Sequence, residues 1–154
     1  MAKIEIKLPE EFLLKVSKLE ARTDEIVERA LEDGGKVVLA KVKSNLSGVT
    51  GNGLKNPPRS TGELESSLGV SPPDVDNSGT HNVKVGFNDP RRRQHAAKGK
   101  RSYYEITNAM LANVIEYGKH GQPPKPFLKP ARSSSRTACN NAMKARLEEE
   151  IDKL

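Results

Sequence analysis

The chain has 154 residues, of which 34% are hydrophobic, 4% aromatic and 30% charged, and its net charge is +6. A single cysteine excludes an intramolecular disulfide, and no run of about 18 apolar residues predicts a membrane span or an export signal. We therefore expect one domain, residues 1–154, made in the cytoplasm. Its lean core favours self-association, and its positive charge favours an anionic partner.

The N-terminal third is predicted to be a short strand followed by two helices. Residues 3–8 alternate between apolar and polar side chains, which is the period of a strand. A helix over residues 10–19 follows, and Thr23 or Asp24 then caps a longer helix that ends near Asn45. The apolar stripe of this second helix holds near-helical spacing and consists of Val27, Leu31, Val38, Val42 and Leu46.

A glycine pair, Gly34-Gly35, interrupts that second helix. It predicts either a kink or a site where another element packs closely against the helix. Residues 47–60 are dense in Gly, Pro, Ser and Asn, which predicts a long flexible loop.

The middle of the chain is predicted to hold a short helix and a β-hairpin. Ser60 and Glu63 have capping-box spacing, so we expect a helix over residues 61–68 with Leu64 and Leu68 buried. The segments "GVSPPDV" and "NVKVGFN" then flank the turn-rich "DNSGTH", which is typical of a hairpin.

A second long loop is predicted over residues 89–101, and its residues 91–101 contain six bases and no acid. The bases are Arg91, Arg92, Arg93, Lys98, Lys100 and Arg101. Two interpretations stay open, a solvated loop and a loop that contacts phosphate or acidic side chains. We expect both long loops to be mobile in the free subunit and to become ordered against a partner.

The C-terminal third is predicted to be two helices joined by a proline-rich connector. The first helix covers residues 106–117 and ends at Gly118, and the second covers residues 129–153. The expected buried stripe of the last helix is Ala131, Ala138, Ala142, Leu147, Ile151 and Leu154. We expect Phe127 to be buried, because flanking prolines hold its backbone extended. The fold class predicted from these elements is α+β, a small antiparallel sheet packed by a long N-terminal, a middle and a C-terminal helix.

Residue patterns for catalysis or metal binding are missing from the sequence. His81, His95 and His120 lack the spacing of a zinc site, and Cys139 has no histidine near it in sequence. We therefore expect no cofactor, no metal and no enzymatic activity. Glu116 is the one acid of interest, and it is interpreted either as pairing with a base of a neighbouring subunit or as an ordinary exposed helix position.

Two blocks, "NVIEYGKHGQPPKPFLKPA" and "RSTGELESSLGV", resemble signatures of the neck and tail-completion proteins of tailed bacteriophages. The resemblance covers residues 59–88 and 109–150. It implies an α+β virion protein that forms a homo-oligomeric ring at the head–tail junction without catalysis. Its implied partners are other phage neck and tail proteins, with non-specific DNA contact and no membrane. A small basic DNA- or RNA-binding accessory protein is the alternative function.

The residues that we expect to contact partners come from the basic loop and from the boundary between the last two predicted helices. They are Arg91, Arg92, Arg93, Lys98, Lys100, Arg101, Glu116, Tyr117 and Phe127.

Overall fold

A computed structural model describes residues 10–50, 62–88, 94–96, 103–105 and 107–153 of the chain. The helices in these ranges are α1 (Glu10–Thr50), α2 (Glu63–Ser66), α3 (Asn108–Tyr117) and α4 (Leu128–Asp152). The strands are β1 (Leu68–Val70), β2 (Asp74–Val75), β3 (His81–Asn82), β4 (Val85–Phe87), β5 (Gln94–Ala96) and β6 (Tyr103–Glu105). They form antiparallel pairs, β1 with β4, β2 with β3, and β5 with β6. This confirms the α+β class, and the strand expected at residues 3–8 lies outside the described ranges.

Helix α1 is one continuous helix of 41 residues, about 60 Å long at 1.5 Å per residue. The prediction of a break before Thr23 or Asp24 is wrong. The Thr23 hydroxyl donates to the carbonyl of Leu19 at 2.6 Å, so this side chain bonds within the helix and caps nothing. Residues 10–33 contain no Gly or Pro, and nothing in the backbone chemistry therefore forces the helix to stop.

Helix α4 packs antiparallel along the C-terminal two thirds of α1, and ion pairs connect the C-terminal end of α4 to α1. Arg146 Nε lies 2.6 Å from Asp33 Oδ2, and Arg29 Nη1 lies 3.0 Å from Glu150 Oε2. Hydrogen bonds from Lys36 and Arg146 hold the pKa of Asp33 below its ordinary value. In the described ranges, no helix has the length and apolar character that crossing a membrane requires.

The face that α4 buries differs from the predicted stripe. Ala131, Ser135 and Glu150 are buried, whereas Ala138 is exposed and Ile151 is 48% exposed. Ala131, Ser135 and half-buried Cys139 follow one another at intervals of four, which places them on one side of the helix. The prediction selected apolar residues only, three of them alanines, but the position of α1 selects the buried face, and a serine and a glutamate lie on it.

The predicted hairpin is confirmed, and it lies along α1. Leu68 pairs with Phe87 and Val70 with Val85 near its base, while Asp74 pairs with Asn82 nearer its tip. The tip is closed by the Asp76 carboxylate, whose Oδ1 accepts hydrogen bonds from the backbone N–H groups of residues 78 and 80, each at 2.9 Å. This is the turn chemistry for which Asp is favoured.

The glycine pair of α1 is a close-packing site on two sides and does not interrupt the helix. A Cβ on Gly34 would lie 2.7 Å from Met143 Cγ of α4, and a Cβ on Gly35 would lie 2.9 Å from Val70 Cγ1 of the hairpin. Adjacent helix residues point about 100° apart. Two neighbouring glycines therefore let α1 approach a helix and a strand at the same level.

We expect alanine at these two positions to have different consequences for stability. Either change gains about 1 kcal/mol of helix propensity. At Gly34 the flexible Met143 side chain can move aside, so Gly34→Ala should change the free energy of unfolding by less than about 0.5 kcal/mol. At Gly35 the β-branched side chains of Val70 and Val83 cannot move aside. Gly35→Ala should therefore lower the free energy of unfolding by roughly 1–2 kcal/mol. Urea unfolding of both variants checks this, and equal stabilities would contradict the close approach of the hairpin.

Several element boundaries differ from those predicted. Helix α1 extends to Thr50, so residues 47–50 are helical and do not belong to the first loop. Helix α2 ends at Ser66, with Gly62 at its N-cap position, while Leu68 already belongs to β1. Residues 94–96, expected within one loop, form a strand paired with residues 103–105. The rest of both loops lies outside the described ranges.

The core of the described chain lies where α1, α3, α4 and the hairpin meet. Its buried members are Val42, Leu46, Leu64, Leu68, Ala112, Phe127 and Ala131. Phe127 is the largest of them, and it comes from the connector between α3 and α4. The connector is therefore part of the core.

Candidate functional site

The junction of α3, the connector and α4 is the candidate functional site. Thr107 begins α3 as its N-cap, and its side chain accepts from the backbone N–H of Met110 at 3.1 Å. The helix ends where Gly118 turns the backbone to φ 77° and donates its N–H to the carbonyl of Val114. The predicted glycine stop is confirmed.

Gly118 is required for two independent reasons. Its positive φ strains any residue with a Cβ, and that Cβ would lie 2.7 Å from the carbonyl oxygen of Gln122. The connector then returns across α3, where Lys125 N–H donates to the carbonyl of Ile115 at 2.7 Å. Residues 118–126 thus form a folded turn that brings the start of α4 against the end of α3.

Glu116 joins the two helices from within. Its side chain is 3% exposed, and its carboxylate accepts three backbone hydrogen bonds: from Phe127 and Leu128 to Oε2 at 2.7 and 2.8 Å, and from Lys129 to Oε1 at 2.9 Å. These N–H groups belong to the first turn of α4, where no intrahelical acceptor exists. Phe127, at the N-cap position, makes no side-chain cap. Glu116 of α3 therefore caps α4.

The charge of Glu116 suits this position. Burial of the carboxylate raises its pKa. The hydrogen bonds from the three amides and the charge of Lys129 together lower the pKa by more than burial raises it. The pKa of Glu116 consequently stands below its ordinary value of 4.5. A negative charge at a helix N-terminus is also favoured by the helix dipole. The expectation that Glu116 is an ordinary exposed helix position is wrong, because its carboxylate is buried and bonded within the subunit.

Phe127 is fully buried inside the subunit, which confirms its predicted burial. Its ring meets Phe87 of the hairpin edge to face, with 6.2 Å between centroids and 74° between planes. Its carbonyl oxygen accepts from Asn45 Nδ2 of α1 at 3.1 Å. Because α1, the hairpin and α3 all hold this one residue, Phe127 is an anchor of the subunit core.

Tyr117 is the sequence-predicted contact residue that the structure leaves available. It is 67% exposed, and Met110, seven residues earlier and therefore on the same face of α3, is 54% exposed. Large apolar side chains are seldom left in solvent as a group on a soluble subunit unless a partner covers them. We name Met110 and Tyr117 the α3 patch.

The predicted basic residues of the second loop lie outside the described ranges. These are Arg91, Arg92, Arg93, Lys98, Lys100 and Arg101. Strands β5 and β6 pair with each other and hold the two ends of the segment that carries Lys98, Lys100 and Arg101 side by side, whereas Arg91, Arg92 and Arg93 precede β5 in the sequence.

A second basic region went unnoticed in the sequence prediction. Residues 117–147 contain seven lysines and arginines and no acid, which counting charge in successive windows would have revealed. Lys129, Arg132, Arg136 and Lys144 are exposed on α4, and none forms a salt bridge within the described part of the chain. The positive charge of the protein is thus not confined to the loop.

The surfaces described above hold no arrangement with evident chemistry. Across the residues that the structure places, no group of three His, Cys, Asp or Glu side chains could hold a metal ion. His81 Nε2 lies 3.3 Å from Asp24 Oδ1, and this pair joins the hairpin to α1. What the site does offer is a rigid helix junction that presents an apolar patch beside a basic helix.

Comparison with known proteins identifies a matching protein family. Residues 10–118 match the family model for bacteriophage HK97-gp10-like tail components. The matched part runs from the start of α1 to the glycine that ends α3. No curated protein and no solved structure matches the chain.

Proposed function

The chain belongs to the HK97-gp10-like family of bacteriophage tail components, and from this premise we propose that it is a non-catalytic structural protein of the head–tail junction. In this role several copies form a ring in the neck or at the end of the tail, and other neck and tail proteins dock on it. The observation that supports this role most directly is the α3 patch. It lies on the helix whose end Glu116 locks to α4, so a partner meets a surface that is already ordered.

The rigidity of the junction matters to such a role. A subunit of a junction ring transmits force between the head and the tail, so its contact surface needs a backbone that does not fray. The three hydrogen bonds to Glu116 and the full burial of Phe127 supply this at the end of α3. Tyr117 is the next residue after Glu116, and its backbone is held accordingly.

We expect Met110→Ser together with Tyr117→Ser to block assembly without unfolding the subunit. Both side chains are mostly solvated, so the free energy of unfolding should change by less than about 1 kcal/mol. Phages that carry the double variant should accumulate separate heads and tails, visible by electron microscopy, and infectivity should fall at least about a hundredfold, because buried aromatic contacts carry much of an interface's energy.

The matched control is Val75→Ser, which removes a comparably exposed apolar side chain from the hairpin, away from the α3 patch. This control should assemble normally. The role is contradicted if purified particles lack the protein, and the use of the α3 patch is contradicted if the double variant joins heads to tails as the wild type does.

A small DNA- or RNA-binding accessory protein is the second candidate function, and the acid-free region of residues 117–147 favours it. Phosphate contacts release counterions, so binding to a labelled duplex should weaken steeply with salt. Replacement of Arg91, Arg92 and Arg93 by Ser should flatten that dependence by up to about three counterions' worth of slope if the loop contacts DNA. A duplex affinity that depends neither on the salt concentration nor on these three substitutions would exclude this function.

A further inference from the structure

One side of α4 consists of side chains that can all donate a hydrogen bond. Exposed residues lie there in two neighbouring rows, and within each row they are four residues apart, which places them on one side of the helix. The first row is Arg132, Arg136, Asn140 and Lys144, and the second row is Lys129, Ser133, Thr137 and Asn141. We call these residues the donor face. Among the described elements, α4 packs chiefly against α1, and the donor face is left to solvent.

The positive charge of the donor face is not balanced within the helix. Residues 117–147 contain no acid, so Lys129, Arg132 and Arg136 have basic or neutral residues at every position three or four away. Like charges at this spacing repel each other and weaken a helix. Within the described part of the chain, no basic side chain of the donor face forms a salt bridge. An anionic partner would remove this repulsion.

The residue types of the donor face distinguish between two kinds of anionic partner. Side chains that contact the phosphates of nucleic acids are chiefly Arg, Lys, Ser, Thr and Asn, and the donor face consists of these types alone. Protein–protein interfaces are instead centred on aromatic and other large apolar side chains, with charged residues depleted. The donor face contains no aromatic or large apolar residue. Its composition therefore favours a nucleic-acid backbone over an acidic protein.

The shape and order of the donor face suit a duplex. From Lys129 to Lys144 the face extends about 22 Å along one straight helix, the length of about six base pairs, and an α-helix fits the major groove of B-DNA. Single strands are held by aromatic side chains that stack on the bases, and the donor face has none. Its first turn is already ordered, because the backbone N–H of Lys129 donates to Glu116 Oε1 at 2.9 Å.

From these observations we propose that the donor face binds the phosphate backbone of a DNA duplex without reading its sequence. The four basic side chains contact phosphates as charges, and the hydroxyl and amide groups between them donate to neighbouring phosphate oxygens. The Ser133 hydroxyl donates to the carbonyl of Pro130 at 3.2 Å and rotates to reach a phosphate. The proposal names the surface for the second candidate function and rests on it. The α3 patch, on another helix, is left for protein partners.

Neutral substitutions test the contact. Variant A carries Arg132→Gln and Arg136→Gln, which keep long side chains and good helix propensity. The probe is a labelled DNA duplex of about 20 base pairs, and fluorescence anisotropy measures its affinity between about 0.05 and 0.2 M salt. Each lost phosphate contact removes about 0.9 from the slope of log K against log salt concentration, so the slope of variant A should be shallower by about 1.8. Its affinity at about 0.1 M salt should fall at least tenfold.

The matched control carries Lys18→Gln and Lys84→Gln, the same change of charge at exposed positions on α1 and on the hairpin, and it should keep the wild-type slope. Adding Lys129→Gln and Lys144→Gln to variant A should flatten the slope by about a further 1.8. Duplexes of two unrelated sequences should bind within about twofold of each other, because phosphates carry no sequence information. Thermal unfolding of each variant verifies that its fold is intact.

The outcomes separate failure of the contact from failure of the function on which it rests. If the wild type binds no duplex even at low salt, the contact and the second candidate function are both refuted. If the wild type binds the duplex and variant A keeps its affinity and its salt slope, the donor face is the wrong surface and the function stands. If polyglutamate displaces the duplex as effectively as unlabelled duplex does, the face recognises acidic polypeptides and the proposal is overturned. The junction role is tested separately, by the α3 variants.

Discussion

Glu116→Ala is expected to lower the free energy of unfolding by about 3–5 kcal/mol, a large part of the stability of an ordinary domain. The carboxylate accepts hydrogen bonds from Phe127, Leu128 and Lys129, and the first of these N–H groups is buried where water cannot replace the lost acceptor. The change therefore removes three charge-assisted bonds and leaves unsatisfied donors behind. Urea unfolding followed by circular dichroism measures the loss.

Two companion variants show whether the carboxylate itself is responsible. Glu116→Gln keeps the shape but has only one oxygen and directs an NH₂ group at a donor, so its cost should lie between those of the wild type and the alanine variant. Glu148→Ala removes an acid from an exposed position of α4 and should cost less than about 0.5 kcal/mol. If Glu116→Ala cost no more than Glu148→Ala, the cap across the two helices would be disproved.

The cap also predicts how stability depends on pH. The pKa of Glu116 is lower in the folded subunit than its ordinary value of 4.5, so the folded state favours the charged form. Its contribution is present above pH 4.5 and is lost as the pH falls through the folded-state pKa. Between pH 6 and roughly pH 3, the stability of Glu116→Gln should therefore fall less steeply than that of the wild type. Parallel curves for the two proteins would contradict the assignment.

Phe127→Ala is expected to cost about 3–5 kcal/mol, because it empties the largest fully buried position in the core. The ring also contacts Phe87 edge to face, which adds to the loss beyond simple burial. The melting temperature should fall by on the order of 10 °C, given about 2–4 °C per kcal/mol for a chain of this size. Calorimetry measures both quantities.

Phe127→Leu should lose less, because leucine refills part of the space, and Tyr117→Ala should be nearly neutral because that aromatic side chain is mostly solvated. Glu116 holds the backbone N–H of the residue whose ring fills the pocket, so the two alanine substitutions should not be additive. A double variant whose cost equals the sum of the two single costs would mean that the cap and the anchor act independently.

Local sequence patterns were sufficient for the elements whose signals lie within a few residues. The alternation around Val83, Val85 and Phe87 and the turn residues before it predicted the hairpin, because period and turn chemistry are properties of adjacent residues. Gly118 was predicted to stop α3 for the same reason. The burial of Phe127 followed from the prolines on either side of it and the scarcity of other aromatic residues.

The same local reasoning failed where two signals competed. Thr23 and Asp24 look like a cap, but neighbouring residues with good helix propensity carry α1 through them, and Thr23 bonds back to Leu19. On α4 the apolar residues suggested one stripe, yet Ser135 and Glu150 are buried where α1 lies. Glu150 tolerates burial because Arg29 supplies a partner from the other helix.

The sequence by itself determined the fold class, the hairpin, the C-terminal end of α3 and the net positive charge, since each depends on composition or on contacts between near neighbours. Only the tertiary structure decided the role of Glu116, whose three donors lie 11 to 13 residues away along a connector that folds back. It also decided that the glycine pair admits a helix on one side and a hairpin on the other. Caps between helices and close approaches of backbones depend on where distant segments meet, and no local period encodes that meeting.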